Sequence, residues 1–573
     1  MSIIQFKEAN CKNCYKCIRN CPIKVIAFRN DQAEIVEEEC ILCGRCLTVC
    51  PQNAKTVKSD IDRVKGFLSK NEKVYVSLAP SYIAAFDTDE PERVVAALFK
   101  LGVTHVEETA IGATQVSKEY GKLMNDKKMN NIITTCCPSI VSLVERYYPT
   151  LIDQMAPVVS PMVAHARMMR SMYGPRIKIV FIGPCIAKKR ECTEIANEGS
   201  VDAVLTFEEL EKWMDMEGID INSIDAGELK GLSNPAARLY PSPGGIIKTL
   251  HADDRKKYKC ISVDGIDRCI EILDWMKEGK VKSYFIEMNS CTGGCLGGPC
   301  IGKVEGGFLG ARDKLLNYAR KKLKDPTHAL VEDAKAPLER NFIDRSKPMD
   351  IPDEDTIRSI LSMIGKVNKD KELNCGACGY STCRDKAIAV YNKKADLKMC
   401  LPYMREKAES ISNIIMHNSP NALIALDKNL IIQEYNLSAC KLFKMEDTDM
   451  SGKHIYEILN CPDFEAALQN GENILDKKYY YDAYGITVMQ SIIYVREYDM
   501  IIAIIKDITE NEEQRKKIYS MRSETIDIAQ KVIEKQMRVA QEIASLLGET
   551  TAETKVALTG LKKSILADMG EDK

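Results

Sequence analysis

CKNCYKCIRNCP at residues 11–22 is matched in spacing by CILCGRCLTVCP at residues 40–51. Both follow C-x2-C-x2-C-x3-C-P, in which three thiolates of one loop reach three corners of a 4Fe-4S cube while the fourth cysteine crosses to a second cube. That assigns Cys11, Cys14, Cys17 and Cys50 to one cluster, and Cys40, Cys43, Cys46 and Cys21 to its neighbour. A zinc ion needs four ligands and would not call for a crossed set of eight. Residues 1–60 carry few large apolar side chains, so the clusters are expected to hold that segment together.

Working outward, 573 residues exceed what a single core supports, and several domains are expected. Lys plus Arg total 80 against 82 Asp plus Glu, which gives no charge excess pointing to nucleic acid or to an anionic membrane surface. The first residues lack a basic start followed by an apolar stretch, and no run of 18 apolar residues occurs, so a cytoplasmic location is expected. In a reducing cytosol the 23 cysteines stay free unless a metal or catalysis claims them. From about residue 72 the pattern becomes α/β: short β-branched runs at 74–78, 132–135 and 177–182 alternate with helical stretches, and cysteines recur at the ends of those runs.

Three such ends are TTCCPSI at 134–140, GPCIAKKRE at 183–191 and IEMNSCTGGCLGGPC at 286–300. In order and approximate spacing they resemble the signatures of the FeFe hydrogenases, and with the C-terminal segments below they resemble the sensory, PAS-containing members. The resemblance implies a domain over 72–325 whose Cys137, Cys185, Cys291 and Cys295 hold a 4Fe-4S cube, with Cys295 bridging to a diiron subsite that carries CO, CN and a bridging dithiolate: a six-iron H-cluster. It implies that Lys188 donates a hydrogen bond to a cyanide and that Cys136 passes protons, the two catalytic side chains. Pro80, Ser81, Gly183, Pro184, Lys188 and Asn289 are the implied cofactor-binding residues. Gly293, Gly294, Gly297 and Gly298 either let backbone approach the cluster closely or make ordinary tight turns.

The sequence departs from the family beyond Cys136. Tyr120 and Leu123 fall where a relay would have carboxylates, and Ala156 where it would have a serine. Gly183 and Asn289 replace methionines, Ile140 a tryptophan, and the third signature ends LGGPC. A gapped relay should be slow, and altered surroundings tune a metal centre without removing ligands, which suits sensing better than turnover. The rival is a diverged hydrogenase whose relay runs elsewhere.

A charged, proline-containing connector is expected over 326–365, followed over 366–405 by Cys375, Cys378, Cys383 and Cys400 in a C-x2-C-x4-C-x16-C module. This resembles a small 4Fe-4S module of electron-transfer proteins, with zinc as the alternative. Residues 408–510 resemble a PAS domain ending in Asp507-Ile508-Thr509, where Cys440 and His417 are no more than ordinary residues. Residues 511–573 should be helical, with Ile518, Thr525, Val532, Val539 and Leu546 at seven-residue spacing and Met521 and Ile528 beside them; Lys535 and Glu542 then interrupt the seam. Cys192, Cys260, Cys269, Cys300, Cys440 and Cys461 are left as core residues.

The whole is a multidomain α/β chain: a ferredoxin-like 2x(4Fe-4S) domain, an H-cluster domain, a 4Fe-4S module, a PAS domain and a C-terminal helix. The resemblance implies a cytoplasmic FeFe hydrogenase of low activity (H2 + 2 oxidised ferredoxin = 2 reduced ferredoxin + 2 H+) with three 4Fe-4S clusters and an H-cluster. Its expected partners are H2 and protons, an electron carrier such as ferredoxin, a downstream kinase or phosphatase, dedicated maturases and a second copy of itself, with neither nucleic acid nor membrane. The rivals are a metabolic ferredoxin-linked hydrogenase and an iron-sulfur scaffold without the diiron subsite.

Overall fold

Apolar runs that stop at cysteines need a sheet whose strands all point their ends at one place, and the computed structural model has that arrangement. It describes residues 2–29, 32–227, 229, 235–302, 304–323, 336–445, 449–547, 556, 559 and 560. The chain divides into two units, Met1–Tyr403 and Met404–Lys573.

In the first unit, β1 (Ile4–Phe6), β2 (Ile26–Arg29), β3 (Gln32–Ile35) and β4 (Lys55–Val57) pair antiparallel as β1 with β4 and β2 with β3. Around these short ribbons the cysteine loops contribute directly to a small core, with Cys17, Cys21, Cys40 and Cys46 buried beside Ile18, Ile26 and Phe28.

The next strands are β5 (Val74–Leu78), β6 (His105–Glu108), β7 (Ile132–Ile133), β8 (Lys178–Gly183), β9 (Ala203–Thr206), β10 (Lys259–Asp264) and β11 (Tyr284–Asn289). They form two parallel sheets, ordered β6-β5-β8-β9 and β10-β11-β7. The β5 and β8 runs are mostly apolar because both faces are covered: Val74, Val76, Leu78, Ile179, Val180 and Ile182 all lie in the core, with Ser77 the buried polar exception in β5. In such sheets ligands gather beyond the carboxyl ends of the strands. Here those ends lead directly into Ala79-Pro80-Ser81, Thr109, Cys136-Cys137, Pro184-Cys185 and Ser290-Cys291.

The run expected at 132–135 is a strand only at Ile132–Ile133. Thr135 leaves the sheet because its N–H goes to Tyr120 Oη (3.0 Å) and its hydroxyl to the Val158 carbonyl (2.8 Å), which turns the chain toward Cys136.

The described part of the connector expected over 326–365 packs against the α/β domain. Glu339 bridges Val158, and the buried Arg340 ion-pairs with Glu191 (3.2 Å) and Glu194 (2.7 Å); residues 324–335 lie outside the described residues. The helix Glu354–Ser362 belongs to the cysteine module, since Ile357, Ile360 and Leu361 share a core with Ala387 and Cys400. The module docks on the N-terminal domain: Arg19 donates to the Ala377 carbonyl (3.0 Å) and Phe28 N–H to the Lys394 carbonyl (2.9 Å). At Gly379, φ is +99° and a Cβ would fall 2.7 Å from Ile18 Cγ2, so glycine permits that approach.

The second unit holds an antiparallel five-stranded sheet: β12 (Ala422–Asp427), β13 (Ile432–Tyr435), β14 (Ile474–Tyr481), β15 (Ile486–Val495) and β16 (Met500–Asp507), in the order β13-β12-β16-β15-β14. Alternation places Ile424, Leu426, Ile501, Ala503 and Ile505 in one core. Asp507 accepts from the Thr509 N–H (2.8 Å) where the helix Thr509–Leu547 begins. Along that helix Ile518, Met521, Ile528, Val532 and Val539 are exposed. The Leu546 side chain, and the rest of the helix expected to run to 573, lie outside the described residues apart from 556, 559 and 560. Among the described residues no helix is long and apolar enough to cross a membrane.

Candidate metal centres and active site

Cys137, Cys185, Cys291 and Cys295 come from separate segments and line one cavity of about 100 Å³. Its wall also holds Cys136, Lys188, Pro80, Ser81, Pro184 and Asn289. Burial pushes the Cys185 thiol up to about 11 and raises Cys291 and Cys295 further, with each thiol also feeling the others. Metal binding here must therefore displace protons from clustered thiols.

Lys188 stands beside these thiols. Burial opposes its charge, but Glu191 at 2.6 Å outweighs it and holds the ammonium above its ordinary range. Arg340, which the sequence did not single out, fixes Glu191 from behind. Lys188 also donates to the Cys136 carbonyl (3.3 Å), tying the cation to the thiol loop.

Burial pushes the Cys136 thiol up to about 12, so it remains a proton carrier rather than a thiolate. Its partner is the Tyr120 hydroxyl at 3.2 Å, at one of the two positions where a carboxylate would be expected. Tyr120 is buried against Phe285, and burial raises its phenol well above the ordinary range. Ala156 is buried and Leu123 packs against the core, so neither can accept the next proton.

Among the described residues, Ser81 Oγ and Ser290 Oγ are buried on the cavity wall with no hydrogen-bond partner. An ammonium, two unused hydroxyls and four thiols fit a group that is metallic at one end and carries hydrogen-bond acceptors at the other. The residues present therefore suit the H-cluster implied by the sequence.

Gly183 was expected among the cofactor-binding residues. It ends β8 and is not among the residues lining the cavity; a Cβ there would fall 2.8 Å from the Phe181 ring and 2.9 Å from Ala79 Cβ. The Phe181 ring lines the cavity and takes the space a longer residue at 183 would need. The glycines around Cys295 likewise serve protein contacts: at Gly294 a Cβ would meet the Pro241 carbonyl at 2.4 Å, and at Gly297 the Thr292 carbonyl at 1.9 Å. Tyr240, Thr109 and Met162 also line the cavity. No spacing rule announces them, because each reaches the cavity only through the tertiary fold.

A second cavity is lined by Cys21, Cys40, Cys43 and Cys46, the crossed set read from the spacing, and Cys43 lines the first cavity as well. Cys17 is buried near Cys11, Lys55 faces both Cys17 and Cys50, and Cys14 is exposed. A third cavity gathers Cys375, Cys378, Cys383 and Cys400 with the buried Lys366 and Lys386. Cys300 is buried and lies near Glu208, as a core thiol. Among the described residues no three His, Cys, Asp or Glu side chains are grouped to hold a single ion; the thiols are spaced around cavities.

Residues 72–299 match the profile of the iron only hydrogenase large subunit, C-terminal domain. Residues 3–59 match a 4Fe-4S dicluster domain, 372–402 an Fe-S cluster segment and 413–477 the PAS fold. The chain is 28% identical over 338 residues to an NADP-reducing hydrogenase subunit of Solidesulfovibrio fructosivorans, across 48% of this chain and 57% of that protein. It is 26% identical over 374 residues to iron hydrogenase 1 of Clostridium pasteurianum, across 47% and 65%. It is also 22% identical over 379 residues to the nuclear prelamin A recognition factor of Xenopus laevis, across 52% and 81%. The alignments thus span less than two thirds of the first two relatives, 57% and 65% of their lengths. By fold and by these matches, the chain carries an FeFe-hydrogenase-like large-subunit domain together with iron-sulfur domains and a PAS domain.

Proposed function

We propose that this protein is a sensory FeFe hydrogenase: it oxidises H2 reversibly and slowly at a six-iron centre and reports H2 or redox state through iron-sulfur clusters and its PAS domain to a regulatory partner. The observation that carries this reading is the convergence of Cys137, Cys185, Cys291 and Cys295 on one cavity beside Lys188 and Cys136. When bound, the centre supplies the splitting of H2. Cys137, Cys185, Cys291 and Cys295 would hold it, while Lys188, Ser81 and Ser290 would orient its polar ligands. Cys136 holds a proton at its thiol and exchanges it with Tyr120 Oη, a group too weak as acid and base to pass protons quickly. That supports low turnover.

Cys43, shared by two cavities, supports an electron path between the centre and the cluster of Cys21, Cys40, Cys43 and Cys46. The exposed stripe of Ile518, Met521, Ile528, Val532 and Val539 supports pairing with a second copy, which would carry the signal onward. The test is an infrared spectrum of matured protein under H2, together with film voltammetry. CO and CN bands that respond to low H2 with sluggish currents are expected; fast turnover would favour a metabolic enzyme. A second reading, an iron-sulfur scaffold without the diiron subsite, is favoured by the similarity to the prelamin A recognition factor, and predicts no CO or CN bands after maturation.

A further inference from the structure

A buried chain of polar side chains leads away from the cavity at Thr109, and the H2 chemistry described above does not use it. Thr109 lines the cavity and precedes the helix Ala110–Asp126 without capping it through its side chain, which leaves its hydroxyl to Ser77 Oγ at 2.7 Å. Ser77 Oγ lies 2.8 Å from His165 Nδ1, and His165 Nε2 lies 2.9 Å from Glu107 Oε2. Ser77, His165 and Glu107 are all buried. His165 is brought there by the helix Pro161–Tyr173, which packs so closely on its neighbour that a Cβ at Gly112 would fall 2.7 Å from His165 Cβ and 2.4 Å from the Pro161 carbonyl.

Glu107 is the anchor. It also accepts from the Tyr173 hydroxyl (2.6 Å) and faces His105 Nε2 (2.8 Å), and Tyr75 packs on both of those rings. Burial works against its charge, but the bonds from His165, Tyr173 and His105 outweigh it and bring the carboxyl down to about 2. An ionised Glu107 takes the Nε2–H of His165, so in the neutral ring Nδ1 is the acceptor, facing the Ser77 hydroxyl. Every donor in the row then points away from the cavity.

We propose that Thr109, Ser77, His165 and Glu107 form a proton acceptor in the cavity wall, separate from Cys136, that holds the proton released when H2 is split. This rests on the H2-splitting reading above. The step balances: a proton reaching the Thr109 oxygen displaces its hydroxyl proton to Ser77, Ser77 passes its own to His165 Nδ1, and the resulting imidazolium is paired with Glu107. No bond to carbon changes and no electron moves along the row. A sensor needs to hold one proton, whereas an enzyme must pass a stream of them to water; an acceptor this deeply buried suits the former.

The test uses the full chain with all its clusters and the diiron centre, prepared with isotope-labelled histidine. Infrared difference spectra are taken between argon and H2. The expected result is a label-sensitive imidazolium signal that rises with the H2-dependent CO and CN shifts and is lost in Ser77→Ala and in His165→Gln while those shifts remain. Ser77→Ala removes one hydroxyl only, so it guards against a variant at 165 that fails to fold. A wild-type response in CO and CN without a histidine signal, or a signal that survives Ser77→Ala, overturns the relay and leaves the functional reading standing. Absence of CO and CN bands overturns both.

Discussion

Two cavities of this protein each gather four thiols expected to hold a cluster, yet they are built in contrary ways. The one of Cys137, Cys185, Cys291 and Cys295 draws its ligands from three distant turns, each at the end of a strand in sheets with a large core of their own. The one of Cys375, Cys378, Cys383 and Cys400 draws them from a short stretch whose core is a handful of residues, Ile357, Ile360, Leu361, Ile364 and Ala387, with Cys400 among them. The first is a chamber inside a domain with a large core of its own; the second, with so small a core, would fold only as a metal closed it. The first also has uncommitted polar groups on its wall, while the second is flanked by buried cations.

The largest effect should follow from removing one ligand of each. Cys378→Ser should cost the module its metal and with it local order through residues 353–403, since a structural metal set of this kind is worth on the order of 10 kcal/mol. Cys137→Ser should empty the centre but leave the hydrogenase-like domain folded. Limited proteolysis with iron analysis separates the two; equal protease sensitivity in both variants would break the contrast.

The second effect belongs to the chamber alone. Glu287 is buried behind its wall, and burial raises its carboxyl from 4.5 to about 7 against the lowering effect of N–H bonds from Ile247 and Gly244. A raised folded-state value means a contribution fully present below the unfolded value and lost as pH climbs through about 7. The loss is about 3 kcal/mol. Both tryptophans of the chain, Trp213 and Trp275, lie in this domain, so denaturant midpoints followed by their fluorescence report it selectively. The wild type should weaken between pH 5 and pH 8, and Glu287→Gln should lose most of that slope.

The same contrast governs what the sequence disclosed. Short spacing makes candidate ligands readable as sets: Cys21, Cys40, Cys43 and Cys46 line one cavity, and Cys375, Cys378, Cys383 and Cys400 another. The strands at 74–78 and 178–183 followed from the short β-branched runs read at 74–78 and 177–182. Tyr240, Thr109 and Phe181 could not be foreseen, because they meet the chamber through crossings of elements distant in sequence. The close approach of the Phe181 ring to Gly183 belongs to the same class, since only packing reveals it. In the connector read over 326–365 from its charge and proline content, Arg340 finds two buried carboxylates that composition does not announce.

A third, smaller effect tests the cations of the metal-closed cavity. Lys386 Nζ is buried among Cys378, Cys383 and Cys400 and donates to the Leu397 carbonyl (3.0 Å). A positive charge favours the reduced, more negative state of a cluster, and at about 7 Å with an effective dielectric of about 20 it is worth roughly 2 kcal/mol, on the order of 100 mV for one electron. Lys386→Met should lower the module's potential by about that much in an EPR-monitored titration. An unchanged potential would mean that solvent, not the lysine, sets the field.

The smallest effect sharpens the comparison by moving the cation to the surface. Arg45 lines the cavity of Cys21, Cys40, Cys43 and Cys46, but its side chain is 37% exposed and pairs with that of Asp267, itself 66% exposed. Water screens such a pair to about 0.5 kcal/mol or less, and the attached carboxylate cancels part of the field felt by the cluster. Arg45→Gln should therefore shift that cluster's potential several-fold less than Lys386→Met shifts the module's, and the shift should shrink further as salt is added, whereas the Lys386 effect should be nearly independent of salt. Equal shifts would mean that burial does not distinguish the two cations, and that the module's lysines are packing residues whose charge the cluster does not feel.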